Sequence, residues 1–214
     1  PRSFSKSWLF MVVIVDYDAG NLRRVQRACH QVGIDAVISA DADTLRAAER
    51  VIFPGVGAAG SAMASLQANG LDQALKEVID AGRPVFGICL GLQISLAHSE
   101  ENDQQTLGVI RGEVVRFRPC AKDLKVPHMG WNEVRVVRPH HMLAGIEPGD
   151  EFYFVHAYYP CPSSESDVLA VTDYEVEFAS AIGRGNYFAT QFHPEKSGRV
   201  GLRMLSQFAT WDGT

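Results

Sequence analysis

The segment that most constrains the fold lies near the middle of the chain, where residues 87–91 read G-I-C-L-G. It follows a strand-like run at 84–86 and precedes a run of helical character at 92–97. A strand that turns sharply into a helix leaves no room for Cβ atoms beside the turn, which explains the two glycines. The pattern therefore predicts a nucleophile elbow, which would strain Cys89 and expose it.

The hydrophobic patterns on either side of this segment predict an α/β protein with a mixed central sheet. In the first half, short β-branched runs alternate with helical patterns, as in parallel sheets whose strands are joined by helices. The second half has strand-like segments separated by Pro, Gly, Ser and Asp, which predict antiparallel additions. The predicted strands cover 12–15, 34–39, 51–53, 112–117, 133–137, 152–155, 168–172 and 188–191, and the predicted helices cover 21–31, 61–67, 71–80 and 201–209.

Length and composition are those of one globular domain. The chain has 214 residues, of which 46% are hydrophobic and 21% charged, and its formal net charge is −5. No internal repeat or linker divides it, so we expect a single domain over residues 11–214. Residues 1–10 precede Met11, which opens the first apolar run, and we interpret them as a vector remnant or an alternative start. The charge argues against a nucleic-acid partner, and the apolar run at 8–15 is too short to cross a membrane.

The four cysteines are far apart in the sequence: Cys29, Cys89, Cys120 and Cys161. None lies in a C-x-x-C pair or at a metal-ligand spacing from a histidine, so we expect no disulfide, no metal and no cofactor. This usage is typical of a protein in a reducing cytoplasm, where one cysteine is retained for its thiolate.

The residues around Cys89 favour acyl-transfer chemistry. Cys89 would start a helix, whose dipole and free N–H groups favour a thiolate, and the N–H of Leu90 would point to a developing oxyanion. A second segment, 191–195, reads Q-F-H-P-E at the end of a late strand. His193 can accept the thiol proton and later protonate a leaving amine, while Glu195 orients the imidazole. The alternatives are a structural cysteine and a surface histidine.

Three segments together resemble the class I glutamine amidotransferases. They are P-V-F-G-I-C-L-G-L-Q at 84–93, P-G-V-G at 54–57 and Q-F-H-P-E-K-S-G at 191–198, and the similarity extends over residues 11–208. The resemblance implies a flavodoxin-like three-layer fold with flanking helices. It also implies hydrolysis of L-glutamine by a Cys-His-Glu triad formed by the three residues described above.

One branch of this family, the glutaminase subunits of imidazole glycerol phosphate synthases, resembles the chain in more segments. These are D-Y-D-A-G-N-L at 16–22, the segment 54–57, P-H-M-G-W-N at 127–132 and Y-F-V-H-A-Y at 153–158. The resemblance implies an obligate heterodimer with a (β/α)8-barrel cyclase. That cyclase would use the ammonia to form imidazole glycerol phosphate and aminoimidazole carboxamide ribonucleotide in histidine biosynthesis.

Two other functions stay open at this point. One is a glutaminase that serves a different synthase, such as one that amidates a surface sugar. The other is a non-catalytic module with the same fold, although the intact triad argues against it.

The resemblance also implies which residues bind glutamine. Gln93, Glu101 and the backbone near Ala157 and Tyr158 would hold its α-amino and α-carboxyl groups. Such groups suit a zwitterion, which needs an acceptor for its ammonium and donors for its carboxylate. The alternative for Glu101 is a solvated residue within the polar run 99–105.

The segment 54–57 resembles the oxyanion strand of the family, with Gly55, Val56 and Gly57 as its central residues. Two nearby glycines make a peptide reorientation cheap, so the segment can direct an N–H at the thioester oxygen or turn it away. The alternative is an ordinary turn that starts a helix.

Four residues form the partner face that the resemblance implies: Asn21, Trp131, Tyr153 and Lys196. For the tryptophan, a place in the core is the alternative. Two features depart from the family pattern. Residue 18 is Asp where the family often has glycine, and residues 119–126 match no family segment.

Overall fold

A mixed sheet forms the centre of the protein, which a computed structural model describes over residues 11–120 and 124–214. The origin suggested above for residues 1–10 lies outside the described residues. The strands are β1 (Val12–Val15), β2 (Ala36–Ser39), β3 (Arg50–Gly55), β4 (Val85–Cys89), β5 (His98–Ser99), β6 (Gln104–Gln105), β7 (Gly112–Arg116), β8 (His128–Glu133), β9 (Arg135–Val136), β10 (Glu151–His156), β11 (Tyr158–Pro162), β12 (Val168–Tyr174), β13 (Val176–Arg184) and β14 (Tyr187–Thr190). The α-helices are α1 (Leu22–Gln31), α2 (Ala42–Ala47), α3 (Ala59–Ala68), α4 (Leu71–Asp80), α5 (Leu90–Gln93) and α6 (Gly198–Thr210).

The central sheet joins a parallel half to an antiparallel half. Its strand order in the described chain is β2-β1-β3-β4-β14-β13-β12-β9. The strands from β2 to β14 in this order run parallel, while β13, β12 and β9 add in antiparallel fashion. Two smaller sheets, β10-β8 and β11-β7-β5-β6, are formed by strands that lie between residues 98 and 162. The predicted mixed sheet with antiparallel additions is therefore confirmed.

Helices cover the sheet in two groups. Helix α1 packs against α6, whereas α2 and α3 pack against α4. Helix α4 shows the pattern that drives this packing, because Leu71, Ala74, Leu75 and Val78 are buried at helical spacing. Strands β1, β3, β4 and β14 are buried along their whole length, as expected for strands covered on both faces. Among the described residues, no helix combines the length and the apolar character that a membrane span requires.

Several elements differ from the sequence predictions. The helix expected over 92–97 is wrong: α5 ends at Gln93, and the Ser95 hydroxyl donates to the Leu92 carbonyl beyond it. The strand expected over 133–137 is divided between β8 and β9. Helix α2 was not predicted, although Asp41 caps it by accepting a hydrogen bond from the Thr44 N–H. Strands β11 and β13 were not predicted either.

The elbow glycines are required by contacts with the neighbouring strands. A Cβ on Gly91 would lie 1.9 Å from the Phe53 carbonyl oxygen, and one on Gly87 would lie 2.5 Å from the Tyr187 hydroxyl. Between them, Cys89 adopts a φ of 55° and a ψ of −105°, a strained conformation for a residue with a side chain. The predicted strand-turn-helix elbow is thus present, and close packing against β3 and β14 holds it in place.

We predict that Gly91→Ala destabilises the protein by about 3 kcal/mol or more, because the backbone carbonyl it meets cannot move away without disturbing β3. The matched control is Gly60→Ala in α3, whose Cβ would meet only the flexible Asn102 side chain, at 3.2 Å. We expect that change to alter the free energy of unfolding by less than about 1 kcal/mol. Urea denaturation of both variants makes the comparison, and equal stability of the two would contradict it.

Candidate active site

The candidate catalytic residues meet at one edge of the central sheet because three parallel strands end there. Strand β4 lies between β3 and β14, with Gly55 opposite Cys89 and Ile88 opposite Thr190. The 191–195 segment therefore leaves β14 beside the elbow. The carboxyl ends of parallel strands are the usual place for a site in an open α/β sheet.

Cys89 is less accessible than the sequence suggested. Only 7% of the residue is exposed, so the expectation of an exposed cysteine is wrong. It lies instead at a cleft of about 340 Å³, which it lines together with Leu90. Helix α5 has only four residues, so its dipole is far smaller than that of the longer helix we expected. The N–H groups of its first turn have no acceptor within the helix and can still donate to a ligand. The Gln191 amide also points to the cysteine, with its Nε2 3.7 Å from Sγ.

His193 and Glu195 form the predicted pair. The imidazole Nδ1 lies 2.8 Å from Glu195 Oε1, and both side chains are almost completely buried. The other ring nitrogen, Nε2, is buried and has no hydrogen-bond partner within residues 11–120 and 124–214. Burial favours the neutral ring, but the charges of Cys89 and Glu195 outweigh it and raise the pKa of His193 well above its usual value. This environment stabilises the imidazolium form of His193.

Asn21 holds the same carboxylate from another direction. Its Nδ2 donates to Glu195 Oε1 over 2.7 Å, although the two residues are 174 positions apart. No pattern in the sequence predicts this contact, and the family resemblance assigned Asn21 to the partner face alone. The role of Gln191 beside Cys89 was also missed, although its place within the Q-F-H-P-E segment was a usable signal.

The segment 54–57 leaves β3 toward the cleft. The buried Tyr17 hydroxyl donates to the Pro54 carbonyl over 2.9 Å, and burial raises the pKa of Tyr17, which keeps the hydroxyl protonated. A Cβ on Gly55 would lie 1.8 Å from this hydroxyl, so glycine is needed there for space. Gly57 has a φ of 109° with open space around it, so glycine is needed there for its backbone conformation. The Pro54 end is thus anchored, and the Gly57 end is not.

All but one of the residues expected to bind glutamine or to stabilise the oxyanion line one cleft with Cys89: Val56, Gly57, Leu90, Gln93, Glu101, Ala157 and Tyr158. Gly55 is not part of this lining. Gln93 Nε2 donates to the Tyr158 carbonyl over 2.9 Å and to Gln191 Oε1 over 3.0 Å, which ties two walls of the cleft together. Glu101 Oε2 accepts a hydrogen bond of 2.8 Å from the Ala59 N–H, the first residue of α3. The solvated alternative for Glu101 therefore does not describe it.

Two buried histidines, His128 and His156, are hydrogen-bonded in series beside the cleft, which His156 lines. His156 Nδ1 lies 2.8 Å from the Tyr158 carbonyl, and because a carbonyl can only accept, this nitrogen carries the proton. His156 Nε2 then accepts from His128 Nδ1 over 3.0 Å, and His128 Nε2 faces the Asn132 amide at 3.2 Å. Burial lowers the pKa of His128 to about 4 and of His156 to about 3. Both rings therefore stay neutral and keep this order of donors and acceptors.

Three of the four residues expected on the partner face form one surface. Trp131 is 53% exposed, its ring lies 6.1 Å from that of Tyr153, and Lys196 Nζ lies 5.5 Å above the tyrosine ring. Met129, on the same strand as Trp131, is 62% exposed. We call the surface formed by Met129, Trp131, Tyr153 and Lys196 the aromatic face. Its tryptophan is not a core residue.

The other charged and sulfur-containing groups do not suggest a metal site. Within residues 11–120 and 124–214, no cluster of three His, Cys, Asp or Glu side chains is placed to hold an ion. The cysteines are unpaired. Burial raises the pKa of Cys29 to about 12 and also raises the pKa of the half-buried Cys161, while Cys120 is exposed.

We predict that two reagents label different cysteines. Iodoacetamide should modify the exposed Cys120 first, whereas a diazo-ketone analogue of glutamine should modify Cys89, because only that cysteine lines the cleft. Cys29 and Cys161 should react slowly with both, since a raised pKa leaves little thiolate. Peptide mass spectrometry locates the labels. An analogue found on another cysteine, with Cys89 free, would exclude the assignment of the nucleophile.

Comparison with known proteins agrees with this geometry. Residues 13–210 match the family described as glutamine amidotransferase class-I. The imidazole glycerol phosphate synthase subunit HisH of Nitratidesulfovibrio vulgaris (strain DP4) is 51% identical over 203 residues, covering 92% of this chain and 95% of the relative. The HisH subunit of Chromobacterium violaceum is 44% identical, covering 94% of this chain and 98% of the relative.

Solved structures show the same fold at lower identity. A crystal structure of a glutamine amidotransferase, 21% identical, superposes with a TM-score of 0.69 over 93% of this chain and 99% of the other. The structure of PurLQS from Thermotoga maritima, 16% identical, gives a TM-score of 0.72 over 94% of this chain and 97% of the other. The chain therefore belongs to the class I glutamine amidotransferase family and, within it, to the family of HisH subunits of imidazole glycerol phosphate synthase.

Proposed function

We propose that the chain is the glutaminase subunit of an imidazole glycerol phosphate synthase: it hydrolyses L-glutamine and passes the ammonia to a cyclase subunit in histidine biosynthesis. The observation that carries the proposal is the buried His193–Glu195 pair beside Cys89 at the cleft. The relatives named HisH support this synthase over one that amidates a surface sugar. The unpaired cysteines suit a reducing compartment, and we assign the reaction to the cytoplasm.

The first half of the reaction forms a thioester. His193 takes the Cys89 proton, and the thiolate attacks the γ-carbonyl carbon of glutamine. The tetrahedral intermediate collapses as the C–N bond breaks, and His193 returns the proton to the departing nitrogen, which leaves as ammonia. Glu195 keeps the ring oriented and stabilises its charged form, in agreement with the raised pKa of His193.

The second half releases glutamate. Water attacks the thioester carbon while His193 removes its proton, and the C–S bond breaks to restore the Cys89 thiol. In both halves negative charge develops on the former carbonyl oxygen. We assign its stabilisation to the Leu90 N–H and to an N–H from the Gly55–Val56–Gly57 segment, which the open surroundings of Gly57 allow to reorient.

Substrate recognition follows from the polar groups of the cleft. A volume of about 340 Å³ is at the lower end of the range for small-molecule sites and suits a single amino acid. Glu101 faces the cleft with a carboxylate that can accept from the α-ammonium group. The backbone of Ala157 and Tyr158 lies on the cleft wall as a further source of donors and acceptors. Gln93 acts by holding the Tyr158 carbonyl in place.

We propose that the aromatic face binds a (β/α)8-barrel cyclase as an obligate heterodimer partner. Exposed Met129 and Trp131 side chains are the kind of apolar and aromatic anchors found at protein interfaces. The face also adjoins the triad, because the Tyr153 carbonyl accepts a hydrogen bond of 2.9 Å from the His193 N–H. Ammonia released at Cys89 would then cross the interface without entering bulk water.

Substitution of the triad should separate glutamine use from ammonium use. We expect Cys89→Ala and His193→Ala each to lower glutamine hydrolysis by at least about a thousandfold, and Glu195→Gln to lower it less, because Glu195 only orients the base. In the complex, synthesis from added ammonium salts should persist. The exposed Cys120→Ser is the matched control and should behave as wild type. A His193→Ala protein with a normal rate of glutamate release would show that another group is the base.

The isolated subunit should be nearly inactive. Ammonia released into water is protonated and lost, so hydrolysis is useful only when an acceptor is ready. We expect glutamate release to rise at least about tenfold, or about 1.4 kcal/mol of barrier, when the cyclase and its ribonucleotide substrate are both added. The experiment omits each component in turn and follows labelled amide nitrogen into the imidazole product. Full activity of the chain alone, or loss of label to an ammonia trap, would contradict coupling.

A further inference from the structure

Asn21 is the N-cap residue of α1, but its side chain does not cap the helix. It adopts a left-handed conformation, with a φ of 76° and a ψ of 2°, and its side chain makes no capping hydrogen bond. The amide instead donates to Glu195 Oε1 over 2.7 Å. Asparagine is among the few residues that tolerate this backbone conformation and also carry a short amide donor. The side chain is therefore directed away from its own helix and toward the triad.

Glu195 needs a second contact to be fixed. Its side chain is fully buried, and its Oε1 accepts from both His193 Nδ1 and Asn21 Nδ2, at 2.8 and 2.7 Å. The other oxygen, Oε2, is buried without a hydrogen-bond partner in the described chain. The terminal torsion of a glutamate side chain is broad, so a single hydrogen bond leaves the carboxylate plane poorly defined. The Asn21 amide removes that freedom.

The donor is itself held by rigid backbone. The Asn21 carbonyl accepts hydrogen bonds from the N–H groups of Arg24, at 3.0 Å, and Val25, at 3.3 Å, in the first turn of α1. Val25 is buried in the core. A group supported in this way positions its neighbour more accurately than one on a free loop.

The chemical type of the donor is also significant. A neutral amide stabilises the ionised carboxylate without adding positive charge, so the carboxylate retains its full effect on the imidazolium. A lysine at this position would compete with His193 for the same negative charge. An aspartate would place two carboxylates against each other, and their repulsion would be relieved only at low pH, where one of them is protonated.

We propose that Asn21 is a positioning residue of the triad, which orients Glu195 and, through it, the imidazole of His193. The inference rests on the proposed glutaminase function and adds a residue to it. Asn21 does not line the cleft, so its effect on the reaction passes through Glu195. The role is separate from any contact that the residue makes with the cyclase.

The test uses two substitutions and a matched control in the complex with the cyclase. Asn21→Gly removes the amide but tolerates the left-handed backbone, and Asn21→Asp keeps the shape but replaces the donor by a carboxylate. The control is Asp18→Gly, in the same loop and with a similar φ of 65°, whose side chain contacts Ser65 and not Glu195. Each is assayed over a range of pH at saturating cyclase, with kcat and KM for glutamine determined separately.

We expect Asn21→Gly to lower kcat about tenfold with KM changed less than twofold. Because a poorly oriented carboxylate raises the pKa of His193 less, the alkaline limb of the pH profile should move to lower pH by at least half a unit. Asn21→Asp should have a lower kcat than Asn21→Gly at pH 8. Its kcat should recover in part toward pH 5, where the protonated carboxyl group of the aspartate can donate a hydrogen bond to Glu195. Asp18→Gly should match wild type, and ammonium-dependent synthesis should be unchanged throughout.

Two results would overturn the inference. One is an Asn21→Gly enzyme whose kcat and pH profile equal those of wild type. The other is a decrease in kcat for Asp18→Gly as large as that for Asn21→Gly, which would show that the effect comes from the loop and not from the Asn21 amide. If the thermal midpoint shows that Asn21→Gly does not fold, the test rests on Asn21→Asp. Recovery of its kcat toward pH 5 supports the inference, and no recovery overturns it. Failure of the proposed function is distinguishable, because wild type would then release no glutamate or His193→Ala would retain full activity.

Discussion

The parallel pairing of β4 between β3 and β14 is the constraint on which the rest of the site depends. This pairing sets Gly55 opposite Cys89 and brings the end of β14 to the same edge. The nucleophile, the oxyanion segment and the base then leave three adjacent strands at one level. The backbone hydrogen bonds of the sheet, buried on both faces, fix that level far more firmly than contacts between side chains would. This close packing requires glycine at positions 87 and 91, since no side chain fits at either position.

Electrostatic surroundings give three nearby histidines different roles. His156 and His193 are both buried, yet burial lowers the pKa of the first to about 3, while thiol and carboxylate neighbours raise the pKa of the second. The partners of His156 are a neutral imidazole, His128, and the Tyr158 carbonyl, neither of which stabilises a charged ring enough to offset desolvation. The neutral pair therefore serves as fixed hydrogen-bonding structure. Among these three rings, His193 is the one whose surroundings stabilise the charged imidazolium form.

Sequence alone predicted the parts of the structure that rest on local rules. The glycines of the elbow, the bounds of α4 and the residues of the cleft followed from local pattern or family resemblance. Strand β13 was missed because its centre reads A-S-A-I-G, and only pairing with β12 and β14 makes this weak sequence a strand. The contact of Asn21 with Glu195 was missed for a similar reason. It joins residues 174 positions apart in the sequence, and a local pattern cannot predict a contact over such a separation.

The aromatic face and the triad are parts of one hydrogen-bonded unit. The ring of Tyr153 lies between Trp131 and Lys196 at the surface, while its carbonyl accepts from the His193 N–H over 2.9 Å. Its own N–H donates to the Ser197 hydroxyl over 3.0 Å, and that hydroxyl donates to the His193 carbonyl over 2.6 Å. Strand β10 thus holds both backbone groups of His193. A protein bound to this face would contact the strand that positions the base, so binding and the geometry of the triad share the same backbone.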